Sequence, residues 1–445
     1  MIDIIKILRV VSESHQSQLT DEDRKKALTI LEWQKEILEK AQAEPPHALQ
    51  PSVQALSDYL SCSASGDSVA RMYATRMLEE TKLEWFVFEN IDQWLLCIDY
   101  VIQRAPEPEQ AFPMSKLFVF FMYSLSGAAL FRIQEFNVLL TNVLKAWCDY
   151  MDSTASRSVL NPTGSIPATT GWLAPDMEDE LCLDQYENHQ YKDQDAYWKF
   201  TSYNDFFHRQ IDLEKYRPLD GKDDDNVIVS ANDGTVYSIT NDVKRCSNFW
   251  AKGQPHSLID MLGGNTNNPT PTDPAIIDDF EGGDVLQSFL DGSDYHRWHA
   301  PISGTVIKAQ VIQGLTFSEL RSEGLDLSAG TESQGYQAMV NTRGLIIIDN
   351  ATIGKVAVIP IGITEISSIK INVSEGEKVI KGQELGWFSY GGSSMALVFQ
   401  NGMIKTFTAQ VVTPPSSPPC KKTDNCNADQ GCLRVRAQVA SANSL

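Results

Sequence analysis

Four side chains in this sequence are of the types that activate a hydroxyl or move a proton near neutral pH: Ser393, His299, His296 and Asp233. Ser393 sits in Trp387-Phe388-Ser389-Tyr390-Gly391-Gly392-Ser393-Ser394-Met395-Ala396. The pattern reads as a strand that stops at the glycine pair and restarts after the two serines, with a tight, backbone-exposed turn between. Glycine reaches conformations closed to other residues, so the Gly392 carbonyl can be held beside the Ser393 hydroxyl. A serine placed in that way can attack its own preceding peptide bond. The attack needs a base for the hydroxyl proton, and a histidine base needs a carboxylate to fix its tautomer. His296 and His299 flank Arg297-Trp298 in a segment that starts at Tyr295 and ends at Pro301, and Asp233 stands in Ser230-Ala231-Asn232-Asp233-Gly234-Thr235, a turn between two strands. Taken singly, each stretch has a structural reading that serves better. Asp-Gly and Gly-Gly-Ser-Ser suit ordinary hairpin turns, and two histidines at this spacing can cap a turn or satisfy backbone groups.

The elements that must position these groups fall into two textures. Over residues 1–160 the pattern is helical: acids follow Thr20 as in a helix first turn, Leu28, Ile30, Leu31, Trp33, Ile37 and Leu38 recur at mostly helical spacing, and Pro45-Pro46 ends the element. Glu84 to Gln103 and Lys116 to Asp152 read as aromatic-rich core helices, with Trp85, Phe88 and Trp94 as packing rather than a cofactor box. Residues 161–196 form an acidic transition that includes Asp176-Met177-Glu178-Asp179-Glu180, a solvated run more than a cation site. Residues 197–445 are β-rich, with short β-branched runs separated by Gly, Asn and Asp. The expected fold class is α+β, a helical N-terminal domain followed by a β-rich domain. Pro301 to Val306 and Ser374 to Gln383 echo each other like the parts of a biotinyl or lipoyl-type barrel, but no lysine stands at a Met-Lys-Met-like tip. Residues 414–430 read as a flexible insertion, and Leu433 to Val439 as a last strand.

At 445 residues the chain is long enough for two or three domains with proper cores. Against 58 acidic residues it has 37 basic ones, a net charge of −21, which argues against nucleic acid and against docking on anionic lipid. The longest apolar run, Leu117 to Phe131, is short of the roughly 18–20 residues of a spanning helix and reads as a buried helix. The N-terminus lacks the succession of basic region, apolar core and small-residue cleavage site, so a cytoplasmic location is expected. Cys62, Cys97, Cys148, Cys182 and Cys246 are scattered, which suggests thiols rather than a disulfide scaffold. Cys420, Cys426 and Cys432 are too widely spaced for a zinc site, and no metal is expected.

Together these stretches resemble the phosphatidylserine decarboxylase family. The resemblance runs in family order from about Phe200 to Gln400: Phe206-Phe207-x-Arg209 with Arg217-Pro218, the Asp233-Gly234 turn, Lys252-Gly253 with Ser257-Leu258, the Tyr295-His296-Arg297-x-His299-x-Pro301 segment, and the Gly392-Ser393 bond. It implies a pyruvoyl-dependent decarboxylase domain in which Asp233, His299 and Ser393 form a self-processing triad. Ser393 attacks the Gly392 carbonyl, the chain splits, and the two pieces stay associated. Ser393 becomes a pyruvoyl cofactor, whose ketone condenses with a substrate amine to a Schiff base and takes up the electron pair left by carbon dioxide. His296 is then the group that returns a proton. Members acting on phospholipid commonly carry Leu-Gly-Ser-Thr and membrane-attached N-terminal segments, where this chain has Gly391-Gly392-Ser393-Ser394 and a helical domain. Gly362-Ile363-Thr364-Glu365-Ile366, Trp298 and Gly171-Trp172-Leu173 look like the soluble fungal branch, which includes the tryptophan decarboxylase of psilocybin biosynthesis. The expected substrate is thus a free aromatic amino acid, tryptophan first, with phosphatidylserine as the alternative.

Overall fold

The computed structural model describes residues 21–81, 87–161, 171–247, 256–265, 268–320, 327, 333–363, 365, 368–390, 392–413 and 431–443. Trp85, Lys252-Gly253, Gly391, Thr364, Ile366, Cys420, Cys426 and the expected insertion over 414–430 lie outside them. The architecture is α+β, as expected. Among the described residues seven α-helices lead: α1 (Asp21–Ala43), α2 (Pro51–Tyr59), α3 (Ser68–Thr81), α4 (Ile91–Val101), α5 (Pro113–Met122), α6 (Leu125–Leu130) and α7 (Gln134–Met151). Three acids in the first turn of α1 face the positive end of its dipole. Asn90 caps α4 by accepting the Gln93 N–H, as short polar side chains do at helix starts.

The single long helix expected over Lys116 to Asp152 is three helices. Ser124 takes an N-cap role by accepting the Gly127 N–H, and at Gly127 a Cβ would stand 2.0 Å from the Phe121 carbonyl oxygen, so only glycine fits that corner. Most of the apolar run is buried, with every residue of α5 except Lys116 out of solvent, but Leu125 in α6 is 71% exposed. Trp94 and Phe88 pack on Phe121, which confirms them as core. Among the described residues no helix is long and apolar enough to cross a membrane.

Fourteen strands follow among the described residues: β1 (Val227–Val229), β2 (Gly234–Thr240), β3 (Asp284–Leu290), β4 (Arg297–His299), β5 (Gly304–Ile312), β6 (Arg343–Asn350), β7 (Gly354–Ile363), β8 (Ile369–Ile371), β9 (Lys378–Val379), β10 (Glu384–Phe388), β11 (Gly392–Phe399), β12 (Ile404–Phe407), β13 (Cys432–Leu433) and β14 (Gln438–Ala442). Eight form one antiparallel sheet in the order β13-β2-β3-β11-β7-β6-β5-β9, and two three-stranded sheets, β4-β10-β8 and β1-β14-β12, adjoin it. The two echo segments lie side by side, Gly304 opposite Val379, so they are neighbours in one sheet. The last strand expected over Leu433 to Val439 is two short ones, β13 and β14.

The sheet has an apolar layer on each face: Leu286, Ile346, Val358 and Leu397 on one, Leu345, Ile347, Ile359 and Val398 on the other. Near-continuous apolar runs are what strands buried on both faces require. The helical core is a separate cluster, yet it takes in Phe206, Phe207, Tyr295 and Tyr390 from the second half of the chain. Cys97 and Cys148 are buried thiols, and burial pushes the Cys97 thiol up to about 12. Cys182 and Cys432 are disulfide-bonded, which corrects the expectation of a thiol at Cys182; scatter along a chain carries no information on proximity in space.

Glu365, in the turn after β7, joins the halves. Its carboxylate accepts the Ser115 N–H at 2.8 Å, at the start of α5. Burial pushes this carboxyl up to about 7, against the pull of the Ser115 N–H, the Tyr390 hydroxyl and Lys116. A raised carboxyl favours folding fully below the unfolded value near 4.3 and loses that contribution as pH rises through about 7. Glu365→Gln keeps an acceptor and removes the charge. Thermal melts of the variant should lose a decline in stability between about pH 4 and pH 7 that amounts to roughly 3 kcal/mol at most in the parent. Parallel melting curves for the two proteins across that range would refute it.

Candidate active site

The strand that carries the candidate nucleophile starts earlier than its composition suggests. β11 begins at Gly392, so Ser393 and Ser394 lie inside the strand rather than in an exposed turn. Its ladder pairs Ser393 with Leu290 of β3 on one side and with Gly362 of β7 on the other. The flanking strands are apolar and long, so pairing on both edges outweighs the turn preference of Gly-Gly-Ser-Ser.

Adjacent residues of a strand point to opposite faces, and the two hydroxyls have opposite fates. Ser394 is saturated: its Oγ lies 2.9 Å from the Ser288 carbonyl oxygen and 2.9 Å from Gln334 Oε1, and accepts an N–H from Gln287 Nε2 at 3.1 Å. Gln287 is held in turn by His256, whose Nε2 is 3.0 Å from Gln287 Oε1, and burial lowers the basicity of that imidazole. Ser393 is 0% exposed and its Oγ has no hydrogen-bond partner among the described residues. Leaving a hydroxyl buried and unbonded costs about 1–3 kcal/mol. A pyruvoyl group derived from residue 393 fits this position, since the side-chain oxygen that must leave residue 393 is held by no hydrogen bond among the described residues.

The two histidines arrive on a separate three-stranded sheet. β4 ends at His299, and β10 bulges opposite it, pairing Glu384 with His299 and Gly386 with Trp298. Gly386 has no Cβ because one would sit 2.0 Å from the Lys370 carbonyl oxygen and 2.4 Å from the Trp298 ring. The same bulge brings the Phe388 N–H to the His296 carbonyl at 3.0 Å, four residues before β11 starts. His296 is fully buried, with its ring 4.0 Å from that of Phe207.

His299 Nδ1 faces the Gly382 carbonyl at 2.9 Å, and its Nε2 lies 3.1 Å from the Tyr295 hydroxyl. A carbonyl only accepts, so Nδ1 carries the proton and Nε2 presents a lone pair that the Tyr295 O–H occupies. Burial lowers the His299 pKa to about 4, partly opposed by the Gly382 carbonyl, so the ring is neutral at pH 7.

Asp233 is placed differently from a triad carboxylate that holds histidine. It is 2% exposed, and its oxygens accept from Arg217 at 2.6 and 3.1 Å, from Arg434 at 3.4 Å and from the Val435 N–H at 2.8 Å. Burial alone would raise its pKa, yet the two guanidinium groups hold it at about 2. The structure therefore brings Asp233, His299 and Ser393 to one end of the sheet without hydrogen bonds between them. The His299 N–H bonds to the Ala231 carbonyl at 2.8 Å, two residues before Asp233. Thr235 pairs with Phe289, which pairs with Ser394, so Asp233 and Ser393 end neighbouring edges of β2 and β11 with β3 between. The Gly382 carbonyl, not Asp233, fixes the His299 tautomer.

Sequence reasoning gave no role to Tyr295, although it opens the histidine segment, nor to Arg217, although Arg217-Pro218 was singled out. Gln287 and His256 had no local signal, because their connection to Ser394 exists only across the ladder. Among the described residues no cluster of His, Cys, Asp and Glu is disposed to hold a metal ion.

Two family models match the chain: one described as phosphatidylserine decarboxylase covers residues 203–415, and a second of the same description covers residues 50–181. Decarboxylase iboD of Amanita muscaria is 33% identical over 69% of this chain and 89% of its own length. The L-tryptophan decarboxylase of Psilocybe cubensis is 29% identical over 69% of this chain and 71% of its own. The phosphatidylserine decarboxylase proenzyme 2 of Oryza sativa is 30% identical over 51% of this chain and 33% of its own.

A depressed carboxylate stabilises the fold fully above its unfolded value near 4 and loses that contribution as pH falls through about 2. Asp233→Asn strands the buried Arg217 without its carboxylate, and should cost about 3–5 kcal/mol in a urea or thermal titration at pH 7. The deficit should shrink as the parent is acidified toward pH 2. A loss under 1 kcal/mol at pH 7 would show that the Arg217–Asp233 pair contributes little beyond an apolar contact.

Proposed function

The chain belongs to the phosphatidylserine decarboxylase family, and from that premise we propose that it cuts itself between Gly392 and Ser393 and then decarboxylates a free aromatic L-amino acid, L-tryptophan before others. The observation that carries this reading is the contrast within Ser393-Ser394: one hydroxyl fully bonded, the other buried with no partner among the described residues.

In the self-processing step, Tyr295 yields His299 Nε2, and that lone pair takes the Ser393 hydroxyl proton. Oγ bonds to the Gly392 carbonyl carbon as the Gly392–Ser393 amide bond breaks, leaving an ester and a free amine. Elimination of the residue 393 α-proton and the Gly392 carboxylate then splits the chain and leaves an enamine, and water replaces its nitrogen, released as ammonia, to give the ketone. Asp233 acts at a distance, as a fixed negative charge that favours the imidazolium His299 becomes. The small chain stays in place because β11 remains bonded to β3 and β7 of the large one.

The pyruvoyl group at residue 393 supplies an electron sink for the departing carbon dioxide. The protein's own contribution is a dry site and a proton. His296, buried against Phe207, returns a proton to the substrate α-carbon. A free amino acid suits the chain better than phosphatidylserine, because a net charge of −21 opposes approach to an anionic interface. The similarity to two L-tryptophan decarboxylases supports tryptophan.

Intact-mass measurement of purified protein should give a large chain ending at Gly392 and a small one running from residue 393. Ser393→Ala should stay whole. His299→Ala should slow or stop the cut, whereas His296→Ala should cut normally and lose turnover by about 10²–10⁴-fold, the usual contribution of a positioned acid or base. Normal cleavage in both histidine variants would remove His299 from its role.

Substrate is decided by carbon dioxide release in parallel assays with tryptophan, tyrosine, phenylalanine and phosphatidylserine vesicles. Turnover of free tryptophan without lipid, insensitive to removal of pyridoxal phosphate, is the expected result. Turnover confined to vesicles would make the chain a phospholipid enzyme.

A further inference from the structure

Between the helical half and the β-rich half lies a cleft of about 400 Å³, within the size range of small-molecule sites. Its walls are aromatic: Phe112 and Trp172 from the first half, Tyr203 and Tyr390 from the second. Tyr390 stands two residues before Gly392, and Asp291, also in the lining, follows the Leu290 that pairs with Ser393. The cleft thus flanks residue 393 both along its own strand and across the ladder.

Phe112 is held there at a cost. It adopts φ +59°, a left-handed conformation that bulky residues avoid, immediately before Pro113. Its ring stacks on Tyr390 with centroids 6.2 Å apart and planes at 16°, and its N–H donates to the Tyr390 hydroxyl at 2.9 Å. Packing of α5 alone does not require an aromatic at this position, since the ring is only half-buried.

The rim is acidic. Asp176 and Glu180, both exposed, are four apart on the short helix Pro175–Glu180 and so share a face, and Asp291 completes the set. Among the described residues no lysine or arginine lines the cleft. A side-chain carboxylate or a phosphodiester would find no basic partner there.

We infer that this cleft reads the substrate side chain: Phe112, Trp172 and Tyr390 hold a flat uncharged ring, and Asp176 and Glu180 turn away amino acids with anionic side chains. The inference rests on the proposed decarboxylation of a free amino acid. It also gives the helical half a task, since half of the reading surface comes from residues before the β-rich domain.

Two variants test it, each first checked by intact mass for normal self-cleavage. Phe112→Gly removes the ring and suits the left-handed backbone, so it should raise KM for L-tryptophan about tenfold or more with kcat little changed. Asp176→Asn combined with Glu180→Gln should raise kcat/KM for L-glutamate relative to L-tryptophan severalfold at low salt, and the gain should fade in 0.5 M salt as exposed charges are screened. An unchanged tryptophan KM in the first variant, or an unchanged ratio in the second, overturns the assignment. Calorimetric binding of tryptamine to uncleaved Ser393→Ala separates this from the reaction itself. Binding weakened about tenfold by adding Phe112→Gly supports the cleft even if no free amino acid is turned over. Turnover together with binding indifferent to Phe112 refutes the cleft while leaving the reaction standing, and absence of tryptamine binding refutes it as well.

Discussion

The interaction on which the rest of this structure depends is one that is withheld: the Ser393 hydroxyl is buried inside a sheet and given no partner among the described residues. Such a group opposes folding by about 1–3 kcal/mol, so the surrounding structure must over-determine its position. It does so through β11, whose main chain is bonded to β3 and β7 on both edges and whose apolar side chains anchor both faces of the sheet. A one-residue slip of that ladder would exchange the faces of Ser393 and Ser394. The saturated network of Ser394 with Ser288, Gln287 and Gln334 specifies the register against the slip.

The electrostatics follow from the same burial. A carboxylate at the start of β2 cannot stay charged in so dry a place without counter-charges, and Arg217 with Arg434 supplies them in a chain that is otherwise strongly acidic. The result is an Asp233 that is ionised at neutral pH yet not hydrogen-bonded to histidine. His299 is kept neutral by burial and oriented by a backbone carbonyl, with the Tyr295 hydroxyl on its reactive nitrogen. A neutral imidazole with a covered lone pair suits the proposed self-processing step, which each molecule would perform once.

The two halves of the chain share one centre. Tyr390 lies in the helical core, three residues before the candidate nucleophile, and touches Trp147, Tyr203 and Phe207. Glu365 ties the turn after β7 to the start of α5, so the position of Phe112 is coupled to the strand that precedes Ser393 by both a carboxylate and a ring stack. Rigid packing of this kind keeps a cleft between elements open without a ligand to hold it.

The sequence by itself determined the fold class, the order of its two textures and the family, because hydrophobic period and motif order are local or collinear properties that survive in one dimension. The acids that open α1 are legible for the same reason: they answer a requirement of their own helix end. It misread the Ser393 turn, because composition alone cannot show that two long apolar strands will pair on either side and draw Gly392 and Ser393 into the ladder. It likewise placed Asp233 as the partner of a histidine, where tertiary structure paired it with Arg217, sixteen residues upstream, and Arg434, two hundred downstream. Which of two adjacent serines is left unbonded, which atom fixes the His299 tautomer, and that Phe112 meets Tyr390 across 278 residues were decided only by the fold. Hydrogen bonds and ring contacts act over a few ångströms, and nothing in the order of residues states which distant groups will come within that reach.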